Sequence, residues 1–187
     1  MKDFKHKESV TLVYTGEGKG KTSASLGLMA RALGNGWSVA FIQFIKYWEV
    51  SEHHFIKDIS PLYGDKLFFY KGGKGFYNAG ELSQKDVSDK QHKEAAKTTY
   101  QKALECAKNG QYDLVICDEI NNAVSDGLLS KNDLKNLILL KSAKTSLCLT
   151  GRNFPTDYLE YVDIATNMDK IKHHYDQKYI ANKGIDY

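Results

Sequence analysis

The 187 residues, 42% of them hydrophobic, suffice for one well-buried core and are too few for two ordinary domains, so a single domain over residues 1–187 is expected. Lys+Arg 26 against Asp+Glu 23 leaves +3 with neither sign gathered into a block, which argues against nucleic acid or a membrane surface as a partner. The charged start Met1-Lys2-Asp3-Phe4-Lys5-His6-Lys7-Glu8 leads into no apolar run, and no segment approaches the roughly 20 apolar residues of a membrane span, so a cytoplasmic protein is expected.

Strand and helix signals then alternate along the chain. An apolar strand over Ser9–Tyr14 runs into Thr15-Gly16-Glu17-Gly18-Lys19-Gly20-Lys21-Thr22-Ser23. A helix follows over Lys21–Leu33, with Leu26, Met29, Ala30 and Leu33 on one face and Gly34-Asn35-Gly36 as its stop. Trp37–Phe44 reads as a second strand whose exit Gln43-Phe44-Ile45-Lys46 lies where ligands of open α/β sheets sit. Ser51–Ser60 is weakly helical, Lys66–Tyr70 is a short strand, and Lys71-Gly72-Gly73-Lys74-Gly75 is a flexible turn suited to a substrate loop. Gln84–Asn109 is the longest helix, with Ala95, Ala96, Tyr100, Ala103, Leu104 and Ala107 on its face and Gly110 as its stop. The unbroken apolar run Asp113–Cys117 ends in Asp118-Glu119 and belongs in the middle of a parallel sheet. Ser130 caps a helix through Lys141, Thr145–Thr150 is a strand, Thr156 caps a short helix, and Val162–Thr166 is the last strand. The sum is a wound α/β sheet. Cys106, Cys117 and Cys148 show no C-x-x-C spacing and read as free buried thiols.

The glycine loop between strand and helix points to a nucleoside triphosphate. Glycines let the backbone curl and turn amide N–H groups inward, the first helical turn adds free donors, and Lys21 supplies a flexible charge. Thr22 is placed to offer its hydroxyl to Mg²⁺. The general pattern G-x-x-x-x-G-K-[ST] asks for glycine at position 15, where this chain has threonine, with Gly16 one place later. Asp118 and Glu119 at a strand end supply the hard carboxylate oxygens that a metal-nucleotide site needs. Were the reaction hydrolysis, Glu119 could activate water. The adjacent pairs His53-His54 and His173-His174 lack the acidic or cysteine partners of a zinc site, so surface or substrate-edge positions are expected for them.

The loop Tyr14–Ala24 occurs in order with Ala30-Arg31-Ala32, Gln43-Phe44-Ile45-Lys46, Asp118-Glu119, Thr150-Gly151-Arg152 and Gly184-Ile185-Asp186-Tyr187. In this the chain resembles the P-loop type of ATP:corrinoid adenosyltransferase, also called cob(I)yrinic acid a,c-diamide or cob(I)alamin adenosyltransferase. The family's loop has the shorter form T-G-x-G-K-G-K-T, which accounts for Thr15. The resemblance implies a P-loop, RecA-like fold with a mostly parallel central sheet and helices on both faces. It implies transfer of the 5′-deoxyadenosyl group of ATP to the Co(I) centre of a reduced corrinoid, with release of triphosphate, in adenosylcobalamin biosynthesis or salvage. A homodimer and a flavoprotein reductant are implied as well.

Carried over by residue, Gly16, Glu17, Gly18, Lys19, Gly20, Lys21, Thr22 and Ser23 match the ATP loop. Thr22, Glu119 and Asp118 match the Mg²⁺ (or Mn²⁺) site, and Lys21, Thr22 and Glu119 are the expected catalytic set. Arg31, Lys46 and Arg152 match motif positions, with phosphate or sheet-edge contact expected for Arg152. The corrinoid-facing segment Gly-Phe-x-Trp corresponds to Gly75-Phe76-Tyr77-Asn78, so Phe76, Tyr77 and Asn78 are assigned to the corrinoid, with Asn78 replacing the family's tryptophan. Ile120-Asn121-Asn122-Ala123 likewise lacks the usual aromatics after Asp118-Glu119. Two other readings stay open at this stage: a P-loop ATPase or small-molecule kinase without corrinoid chemistry, and a nucleotide-dependent module that binds a corrinoid without alkylating it.

Overall fold

The computed structural model describes residues 5–46, 48–75 and 87–187. Among these residues, six strands form a sheet: β1 (Thr11–Thr15), β2 (Val39–Gln43), β3 (Leu67–Lys71), β4 (Leu114–Asp118), β5 (Ser146–Thr150) and β6 (Ile164–Asn167). Their order is β3-β2-β4-β5-β1-β6, and every neighbouring pair is parallel. Parallel neighbours require crossovers, and α1 (Lys21–Gly34), α2 (Ser51–Tyr63), α3 (Asp89–Lys108), α4 (Ile120–Ser125) and α5 (Lys131–Leu140) supply cover on both faces.

The apolar strands divide their side chains between the faces with period two. On one face Leu12, Val39, Phe41, Leu114, Ile116 and Cys148 pack with Met29, Ala32 and Leu33 of α1 and Ile56 of α2. On the other, Val13, Ala40, Ile42, Val115, Cys117, Leu147 and Leu149 pack with Ala96, Tyr100 and Ala103 of α3 and Leu134 and Leu137 of α5. Each of the large side chains buried here contributes roughly 1.5–3 kcal/mol relative to exposure. All three cysteines are free and buried. Burial pushes the Cys117 and Cys148 thiols well above the usual range.

Several boundaries differ from the sequence reading for local reasons. The second strand opens at Val39 because Ser38 and Asp113 bond each other first: the Ser38 N–H donates to Asp113 Oδ2 at 2.8 Å, and the Asp113 N–H to the Ser38 carbonyl at 3.0 Å. Trp37 stays exposed. The weak helix from Ser51 is a full one, running through Pro61 to Tyr63. The long helix starts at Asp89, fixed by a Ser88–Gln91 capping box, and residues 84–86 lie outside the described set. Pro155, not Thr156, occupies the cap position of the next turn, which is the 3₁₀ segment Thr156–Tyr161. α4 was not anticipated; it follows β4 without a spacer because Glu119 adopts φ 64, a left-handed hinge. β6 is a sheet edge with all four residues exposed.

Candidate functional site

The carboxyl ends of β1, β2, β4 and β5 meet at one end of the sheet. Thr15 leaves β1 into the glycine loop, where Gly16 (φ 97) and Gly20 (φ 107) take conformations that side-chain-bearing residues rarely adopt. Close approach adds a second demand. A Cβ on Gly16 or on Gly18 would lie 2.6 or 2.5 Å from the Met168 carbonyl oxygen, and the Gly18 N–H donates to that oxygen at 2.6 Å. Sequence reading did not find Met168 as a partner, because the contact depends on β6 lying beside β1.

Lys21 opens α1 and folds back over the loop, donating from Nζ to the Gly16 and Gly18 carbonyls at 2.6 Å each. Burial and, next, the Arg152 charge lower its pKa, with nearby carboxylates opposing. Thr22 Oγ1 reaches Asp118 Oδ2 at 3.3 Å, so the two motifs 96 positions apart meet. Ser23 is exposed on the helix. Glu17 pairs with Arg152 at 3.3 Å, both well exposed, and Arg31 is exposed in the last turn of α1.

Asp118 is fully buried, and its acceptors are well used. Oδ1 accepts the Thr150 hydroxyl at 2.7 Å, while Oδ2 accepts the Gln43 amide at 2.9 Å as well as Thr22. Register produces these meetings: Gln43 stands opposite Asp118 across the β2–β4 pair, and Thr150 ends β5 on the other side. The Thr150 hydroxyl accepts in turn from the Glu119 N–H at 2.9 Å. Gln43 and Thr150 were visible in the sequence as polar residues closing apolar strands.

Glu119 carries the strongest electrostatic signature of the site. Burial first, then the neighbouring Asp118 charge, push its carboxyl up to about 7, with Lys46 opposing. Its Oε2 is buried without a hydrogen-bond partner among the described residues. An orphaned oxygen beside a second carboxylate and a threonine hydroxyl is a hard donor set suited to a divalent cation. Lys46 pairs with Glu52 at 2.7 Å. Burial works against its ammonium, but Asp118, Glu119 and Glu52 outweigh this and raise its pKa.

Of the surface or substrate-edge positions expected of it, His53 does not take the surface one. It is buried against Phe69, ring centroids 5.5 Å apart, with Nδ1 accepting the Val50 N–H at 3.3 Å and Nε2 bonded to Gln43 Oε1. Burial and the Lys71 charge lower its pKa. His173 and His174 lie in the tail, where the Asp186 carboxylate takes Lys19 of the glycine loop at 2.6 Å and His174 at 3.5 Å. Ser51 Oγ donates to the Tyr187 oxygen at 2.9 Å, so this segment ties the loop to the start of α2. The assignments to Phe76, Tyr77 and Asn78 lie outside the described residues.

Comparison with known proteins places the chain in a family. The corrinoid adenosyltransferase of Pseudomonas aeruginosa is 29% identical over 179 residues, 95% of this chain and 83% of its own length. The corrinoid adenosyltransferase of a Sinorhizobium species is 31% identical over 189 residues, 96% and 81% respectively, and that of Escherichia coli K12 is 28% identical over 95% and 85%. Among solved structures, the flagellar accessory protein FlaH of Methanocaldococcus jannaschii is similar with a TM-score of 0.50 at 16% identity, over 86% of this chain and 71% of FlaH. That likeness concerns the fold alone and, with the all-parallel sheet and the glycine loop, matches the P-loop, RecA-like architecture. Residues 7–187 match the family described as ATP:corrinoid adenosyltransferase BtuR/CobO/CobP, and the chain belongs to that family.

Proposed function

We propose that the protein transfers the 5′-deoxyadenosyl group of ATP to the Co(I) centre of a reduced corrinoid and releases triphosphate, in adenosylcobalamin synthesis or salvage. Family membership supports the substrate class. The observation that carries the reading to residues is the convergence of Lys21, Thr22, Asp118 and Glu119 at the carboxyl end of the sheet, with a buried Glu119 oxygen left without a partner among the described residues. Gly16 to Ser23 bind the triphosphate. Thr22, Asp118 and Glu119 would hold Mg²⁺, which would offset the charge of the phosphates.

The reacting bond is C5′–O5′ of ATP. The reduced cobalt centre supplies the electron pair of the new cobalt–carbon bond, and the electron pair of the broken bond leaves with the triphosphate. No side chain has to remove a proton, so Glu119 serves as an oxygen donor and not as a general base. Lys21 exchanges its two loop carbonyls for phosphate oxygens and stabilises charge on the leaving group. The protein is proposed to act as one domain, as a cytoplasmic homodimer, with a flavoprotein supplying reduced cobalt.

Anaerobic mixing with ATP, Mg²⁺ and chemically reduced corrinoid tests this. The expected result is loss of the Co(I) spectrum, formation of a light-sensitive adenosylcorrinoid, and one triphosphate released per product. ADP and orthophosphate as the products, with no spectral change across several corrinoids, would replace it with an ATPase or kinase reading.

A further inference from the structure

His53 lies one residue beyond Glu52 in the first turn of α2 and is buried, yet nothing in the reaction above calls on it. Its two ring nitrogens have distinct and complementary partners. Nδ1 accepts the backbone N–H of Val50 at 3.3 Å, the reciprocal contact that closes the start of α2. An accepting Nδ1 places the ring proton on Nε2, and Nε2 faces Gln43 Oε1. That contact settles which way round the Gln43 amide sits: its oxygen turns to the histidine and its NH₂ to Asp118 Oδ2 at 2.9 Å. With the amide reversed, its oxygen would face a buried carboxylate and two acceptors would confront each other.

Asp118 in turn is held on one oxygen by Thr150 at 2.7 Å and on the other by Gln43, and Thr22 approaches the latter from the glycine loop at 3.3 Å. The chain His53–Gln43–Asp118 thus runs from the start of one helix, through the end of β2, to the carboxylate beside the nucleotide loop. Gln43 and Asp118 are fully buried. Water therefore does not substitute readily for a lost member.

We propose that His53 is a positioning residue of the metal-nucleotide site: by fixing the orientation of the Gln43 amide it holds the Asp118 carboxylate in the attitude required for binding the metal–ATP complex. The assignment rests on the reading of Thr22, Asp118 and Glu119 as the metal site. Residues that orient a ligating carboxylate typically change metal affinity about 10–100-fold when removed.

The test is Mn²⁺ binding to the full chain in the presence of ATP, read by electron paramagnetic resonance, for wild type, His53→Phe, His53→Gln and Gln43→Leu. His53→Phe keeps the aromatic packing on Phe69 and removes the donor; it should weaken Mn²⁺ binding about 10-fold and lower kcat while leaving the KM for corrinoid unchanged. His53→Gln, whose amide can again donate to Gln43, should recover most of the loss. The double variant His53→Phe/Gln43→Leu should lose no more than Gln43→Leu alone, since the two act in series. Circular dichroism reports whether each variant is folded. A folded His53→Phe protein that binds Mn²⁺ with ATP as wild type does, or a double variant whose losses multiply, overturns the assignment. Failure of wild type itself to bind Mn²⁺ with ATP overturns the metal-site reading as well.

Discussion

Lys21 and Glu119 divide the electrostatic work of the site. Lys21 is satisfied by its own loop at two carbonyls 2.6 Å away, so bound phosphate must offer more than those neutral acceptors do, and a polyanion does. Lys21→Ala is expected to lower kcat at least about 10²–10³-fold, as removal of one donor to developing negative charge typically does, with the fold intact by circular dichroism. Glu119 gives a pH signature. Its carboxyl is pushed from an ordinary value of 4.5 up to about 7, so between these values the folded state binds the proton that the unfolded state releases. Its contribution to stability is therefore complete below about pH 4.5 and is lost as pH rises through about 7. In EDTA, the Tm advantage of wild type over Glu119→Gln should shrink as pH is raised from 5 to 8. Adding Mg²⁺ and ATP at pH 8 should reverse that trend, which thermal melts of both proteins would show.

At the scale of elements, the glycine loop and the residues after β6 form one packed unit. Gly18 has no room for a side chain against Met168 and Asp169, whose carbonyl oxygens would lie 2.5 and 2.7 Å from a Cβ. Gly18→Ala should cost about 1–3 kcal/mol by forcing the two backbones apart, measurable by urea unfolding, and should weaken ATP binding. The chain order of strands and helices was legible because buried parallel strands are apolar runs closed by one polar residue, Val39–Gln43 and Leu114–Asp118 above all, while α1 and α3 stop just before Gly36 and Gly110. The six-residue α4 was not legible, because it depends on Glu119 entering the left-handed region, which no local pattern announces. Nor was the seat of His53, since it depends on how α2 folds back onto the end of β2 and a His-His pair looks the same on a surface as in a core.

For the molecule as a whole, the tail is the element that joins separate parts of the site. Asp186 holds Lys19, and the Tyr187 oxygen receives Ser51, so the glycine loop and α2 share one fastening. Asp186→Ala should release it. The expected outcome is faster trypsin cleavage after Lys178 and Lys183, together with an altered KM for ATP, and unchanged cleavage would disprove the fastening. The meeting of Thr22 with Asp118, on which the proposed nucleotide site rests, could be anticipated from motif order because Lys21, Thr22 and Asp118 lie at the ends of strong elements. The contacts of Gln43, Thr150 and Met168 follow from the order β3-β2-β4-β5-β1-β6, which spacing along the chain does not encode.

The bond from Gly18 to Met168 and the pair Lys19–Asp186, separated by 167 positions, also bear on how the chain acquires its activity. Contacts at such separation form late, after the intervening sheet has assembled, since closing long loops is entropically costly before other contacts hold them. During synthesis the glycine loop emerges early but stays without its supports until residues 164–186 have left the ribosome. A nascent chain arrested before β6 should accordingly fail to retain ATP, so that nucleotide binding becomes a marker of finished folding.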